Sequence, residues 1–115
     1  MELRDRSLRE EVETVKDLHG RNFSQLTQNF YIMRAALRYF SEKQGRSITS
    51  SRLADNFPLT APVAGSCLTA LEQLEVVKSR SESSSKNRYL PKDVDMERMK
   101  QLEKILQESY EIQDF

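Results

Sequence analysis

The sequence predicts a mainly α fold with a small β-hairpin, an α+β arrangement, and three observations lead there. Apolar residues recur at three- and four-residue spacing over several long stretches, as one-sided helices require. Pro58 and Pro62 flank Thr60, a residue suited to capping a helix after a tight turn. The polar run Ser-Glu-Ser-Ser-Ser-Lys-Asn separates two short β-prone pieces, Val76 to Ser81 and Arg88 to Pro91.

Taken in order, Leu8, Val12, Val15 and Leu18 share a stripe, and Gly20 is a plausible stop, so an amphipathic helix occupies an N-terminal segment over 1–20. A second helix begins near Ser24 or Thr27 and runs to Gly45. Leu26, Phe30, Met33, Leu37 and Phe40 form its inner stripe, widened by Tyr31, Ala35 and Tyr39, while Arg34, Arg38, Glu42 and Lys43 lie outside it. Ser47 to Thr49 reads as a short extended piece, and Ser50 or Ser51 as the cap of a compact helix with Leu53, Ala54 and Phe57. Pro58 ends that helix, because the residue before a proline is pushed out of the α region. Thr60 caps the next one, with Pro62 tolerated in a first turn whose N–H groups have no intrahelical partner. It continues through Leu68, Leu71 and Leu74 to about Glu75, followed by the hairpin; a central domain thus spans 24–91. A last helix, Asp93 to about Tyr110 within the segment 92–115, turns Val94, Met99, Leu102, Ile105, Leu106 and Ile112 to one side.

With 115 residues, 37% hydrophobic and 31% charged, the chain suits one soluble domain with a modest core. The charged start MELRDRSLREE and the shortness of every apolar run argue against an export signal or a membrane span, so a cytoplasmic location is expected. Cys67 and His19 are single, which excludes an intrachain disulfide and a Cys/His zinc cluster and leaves little for nucleophilic catalysis. No Gly-rich phosphate loop is present. The expectation is a non-enzymatic protein without cofactor or metal. Cys67 is either a reactive thiol near a helix start or a small buried hydrophobe, and the second is favoured.

The formal net charge of zero hides an uneven distribution. Between Val76 and Lys92, Lys78, Arg80, Lys86, Arg88 and Lys92 face only Glu82, whereas acids outnumber bases from Asp93 to Phe115. A polyanion responds to that local basic field.

Helix, short strand, helix, tight turn, helix and hairpin is the order of a winged helix-turn-helix. Leu59, Thr60, Ala61-Pro62, Val63 to Ser66, Leu68, Leu71-Glu72 and Val76-Val77 keep the register of a recognition helix running into a wing. Over about Ile48 to Pro91 the chain resembles the winged helix-turn-helix DNA-binding regulators of the MarR and ArsR kinds. The resemblance implies a cytoplasmic homodimer joined by its terminal helices and bound to double-stranded DNA, with helix 60–75 in the major groove and wing 76–91 on the backbone or minor groove. Two departures stand out: Glu75 occupies the place of a usual glycine, and the exposed face of the recognition helix lacks Arg, Lys, Asn and Gln in its first turns.

Carried onto this chain, the DNA contacts fall on Arg46, Ser51 and Arg52 at the start of the helix-turn-helix, on Thr60, Ala61, Pro62, Val63, Gly65, Ser66 and Thr69, and on Lys78, Arg80, Lys86, Asn87 and Arg88 of the wing. Thr60 and the helix end would offer N–H groups to a phosphate and Gly65 a close approach, while Ser66, Thr69, Gln73 and Val63 would touch bases. The bland alternative makes the hairpin cations a solvated face and Arg46 and Arg52 plain surface residues. Leu8, Val12 and Val15 with Met99, Leu102, Ile105 and Leu106 either cover the core of a monomer or join two chains; the amount of apolar surface favours dimerisation. The function expected is sequence-specific DNA binding in transcriptional regulation. Alternatives are a plasmid or phage protein binding a centromere or origin, and a winged protein-interaction module that does not touch DNA.

Overall fold

The computed structural model describes residues 3–44, 47–79, 89–110 and 112. Its helices are α1 (Leu3–Leu18), α2 (Gly20–Gln28), α3 (Phe30–Tyr39), α4 (Ser50–Asn56), α5 (Ala61–Gln73) and α6 (Met96–Tyr110), with a π-helical turn at Phe40–Gln44 and a 3-10 turn at Pro91–Asp93. The chain between Leu3 and Gln44 is one helical path bent twice rather than two helices with a linker. His19 (φ −133°, ψ 50°) and Asn29 (φ −125°, ψ 23°) interrupt the helical dihedrals, yet His19 N–H donates to Val15 O at 2.7 Å and Phe23 N–H to His19 O at 2.9 Å. Gly20 therefore opens α2 instead of ending α1.

One core collects the inner faces of all six helices. Leu8, Val12 and Val15 of α1, Phe23 and Leu26 of α2, Phe30, Met33 and Leu37 of α3, Leu53 of α4, Leu68 and Leu71 of α5, and Met99, Leu102 and Leu106 of α6 are buried together. The predicted stripes misplace three residues: Leu18 is 70% exposed at the end of α1, and Ala35 and Tyr39 lie on the outer side of α3.

Polar contacts draw the first and last helices together. Arg9 donates to Glu108 at 2.9 Å, Tyr110 Oη to Glu13 at 2.8 Å, and the Arg98 guanidinium to Glu11 at 2.6 Å. Arg98 is 6% exposed, and its Nε also donates at 2.8 Å to the carbonyl of Leu74, the residue that closes α5. Across α3 and α6, Glu103 accepts from Arg34 at 2.9 and 3.0 Å and from Tyr31 Oη at 2.8 Å.

The expected β-hairpin wing is absent from the described residues, and the winged, α+β fold class gives way to a mainly helical one. Among these residues there is no β-strand; two isolated antiparallel bridges remain, Ile48 with Tyr89 and Ser79 with Tyr89. The physical reason lies in where the backbone groups go. Both Tyr89 groups engage Ile48, at 3.0 Å for its N–H and 2.6 Å for its C=O, and Val76 C=O accepts from Asp95 N–H at 2.8 Å. Pro91, starting the 3-10 turn, has no N–H with which to prolong a ladder. The wing residues Arg80, Lys86, Asn87 and Arg88, together with Arg46, lie outside the described residues.

Candidate nucleic-acid interface

α4 and α5 pack against each other across a tight turn built by local chemistry. Thr49, not Ser50 or Ser51, caps α4: its Oγ1 accepts from Arg52 N–H at 3.1 Å. Phe57 ends that helix in an extended conformation (φ −137°, ψ 159°) before Pro58, as the ring of a following proline demands. Thr60 Oγ1 accepts from Val63 N–H at 3.2 Å, and Pro62 sits in the first turn of α5.

The far end of α5 closes in a Schellman turn. Glu75 N–H donates to Glu72 O at 2.9 Å and Val76 N–H to Leu71 O at 2.8 Å, with Glu75 at φ 64°. The left-handed conformation that a glycine would adopt without strain is thus kept by a glutamate.

Ser51, Thr60 and Pro62 are exposed, and Ala61, Val63, Gly65, Ser66 and Thr69 are half-buried. The roles given to several of them change. Pro62 has no N–H, while Val63 and Ala64 N–H groups are taken by the Thr60 side chain and carbonyl, so the end of α5 has little left to offer a phosphate. A Cβ built on Gly65 would point to Ser50 Cβ at 3.8 Å; the bare side of this glycine faces α4, not a groove. Thr69 Oγ1 donates to Gly65 O at 2.9 Å, and Gln73 Oε1 is buried without a hydrogen-bond partner. Arg52 donates to the Ser47 carbonyl at 2.7 Å and hydroxyl at 2.9 Å, while Lys78 is exposed. Cys67 is buried, its thiol pushed up to about 12 by that burial and placed 3.5 Å from Gln25 O. A thiol so buried packs as a small hydrophobe.

The seven residues expected in a dimer interface find their partners inside the chain. Leu8, Val12, Val15, Met99, Leu102 and Leu106 are at most 4% exposed and Ile105 6%, so the apolar stripes of α1 and α6 close the monomer's own core.

Sequence reasoning missed what stands beside α5. The packing of α2 brings Arg21, Asn22 and Gln25 to the rim of a shallow depression of about 480 Å³ whose other wall is Pro62, Val63 and Ser66. These three polar residues read as linker or early helix in the sequence. The signal available was their spacing: on a helix beginning at Gly20, positions 21, 22 and 25 fall within an arc of about 100° beside the one that Phe23 and Leu26 occupy.

Among the described residues no group of three or more His, Cys, Asp or Glu is placed to hold a metal ion, and no helix is long and apolar enough to cross a membrane. Comparison with known proteins finds no matching family model, no matching curated protein and no matching solved structure.

Proposed function

We propose that this chain is a non-enzymatic, duplex-DNA-binding module that docks through α4, the turn and α5 and serves in transcriptional control from the cytoplasm. The outer surface of α5 carries the reading. Pro62, Val63, Ser66 and Thr69 present no long side chain and no carboxylate. The first carboxylate on that helix, Glu72, has one oxygen accepting from Ser79 Oγ at 2.8 Å and the other from Tyr89 Oη at 3.1 Å. A helix whose leading turns are smooth and carry no negative charge can approach a polyanion whose major groove is about 12 Å wide. Lys78, shortly after α5 in the chain, is exposed and makes no ion pair among the described residues. Lys78 supplies a cation that releases counterions from a phosphate.

The test is retention of a random duplex pool at low and moderate salt. Phosphate contact requires retention at low salt that falls steeply as salt rises, and Lys78→Ala should flatten the slope by about one unit without changing the preferred sequence. No retention at low salt, or retention that salt does not weaken, refutes DNA binding and transfers the α5 surface to a protein partner.

A further inference from the structure

We infer that the base-reading side chains of this protein are Arg21, Asn22 and Gln25 of α2, with α5 providing the room for them in the groove. This rests on the DNA-binding reading above and assigns its specificity to an element outside the helix-turn-helix pair.

The argument begins with chemistry. Arginine reads guanine through O6 and N7, and asparagine or glutamine reads adenine through N6 and N7, each by paired hydrogen bonds. The leading turns of α5 contain none of these residues, and Gln73, farther along, has its amide oxygen buried. All three types occur on α2, around the depression that Pro62, Val63 and Ser66 complete. Arg21 is exposed, Asn22 and Gln25 are half-buried, and among the described residues none of their side chains is engaged in a hydrogen bond or ion pair within the chain.

Sterics give the second argument. A helix with ordinary side chains is about 10–12 Å across and fills the major groove by itself. The small residues on α5 leave space at its flank, where the α2 side chains stand. Their platform is rigid, as base reading requires: Phe23 and Leu26 anchor α2 in the core, and the Gln25 carbonyl meets Cys67 Sγ on α5.

The experiment compares sequences selected from random duplex DNA by the wild-type chain, by Asn22→Ala with Gln25→Ala, and by Gln25→Glu. The double variant should lose roughly tenfold to a hundredfold of the ratio between preferred and random duplex, while the salt slope of its binding to random duplex is kept because no cation is removed. Gln25→Glu, which can only accept, should move the preference at one position from adenine towards cytosine, whose N4 donates. Circular dichroism and melting report whether the variants fold. If the double variant does not, Gln25→Glu and Arg21→Lys, the latter keeping charge while losing the guanidinium fork, carry the test. An unchanged ratio or unchanged preferences in folded variants overturn the inference and leave DNA binding standing. Wild-type binding equal for every sequence overturns it as well, whereas absence of any wild-type binding refutes the DNA reading itself.

Discussion

Glu75 shows how one residue can be legible in position and wrong in type. The C-terminal end of α5 needs a left-handed residue to return its last carbonyls to N–H donors, and Glu75 supplies φ 64°. A side chain in that region costs about 1–2 kcal/mol relative to glycine. Glu75→Gly should therefore stabilise the fold by about 1 kcal/mol, read as a higher urea midpoint at an unchanged slope; Glu75→Ala should give no such gain. Arg98 is the opposite case, a cation that looked like one more charge on an acidic helix and is in fact buried against Glu11 and the Leu74 carbonyl. Arg98→Met removes the charge, keeps most of the volume and leaves both acceptors short of a donor. A loss of about 2 kcal/mol is expected in the same unfolding experiment.

At the scale of elements, the clasp between α1 and α6 has a pH signature at each end. The Arg9 guanidinium, first through its hydrogen bond and then through its charge, holds the Glu108 carboxyl below its ordinary range. A depressed carboxylate contributes stability above its unfolded pKa and loses it as pH falls through the folded one. Acid should thus loosen the clasp, and Glu108→Gln should make the melting temperature less sensitive to acid; added salt should weaken this exposed pair at any pH. Tyr110 is raised to about 12, first by loss of solvent and then by its hydrogen bond to Glu13. A phenol raised in the fold stabilises below its unfolded pKa of about 10, and the contribution disappears as pH climbs from there towards 12. The fall in melting temperature over that alkaline window should be smaller in Tyr110→Phe than in the wild type. Neither contact was readable from spacing, because each joins residues more than ninety positions apart.

The whole molecule answers the question of surplus apolar surface. Six helices with a radius of gyration of 13.4 Å occupy the space that one domain of 115 residues should, about 13 Å. The stripes of α1 and α6 are inside that volume, so a dimer formed through them would have to open the core. Sedimentation of the free protein should show a one-chain mass across the micromolar range. A concentration-dependent shift to twice that mass would require an interface elsewhere on the surface. A Leu8→Ala or Met99→Ala substitution should act as a core deletion, at about 2–5 kcal/mol, and leave the oligomeric state unchanged.

What the sequence determined by itself is local: where helices start and stop. Thr60 and Pro62 open α5 and Pro58 closes α4 because caps and proline sterics act within a few residues. The inner stripes were legible for the same reason, since helical period alone puts Leu26, Phe30, Met33 and Leu37 on one side. Tertiary structure decided everything that depends on which partner a group finds. Tyr89 pairs with Ile48, and Val76 with Asp95, so β-prone residues build bridges and not a hairpin among the described residues. Apolar stripes on the first and last helices face each other and the shared core instead of a second chain, and α2 delivers Arg21, Asn22 and Gln25 to a helix that has no such side chains on its leading turns. Periodicity says which side of a helix is buried; only the packing of the complete chain says against what.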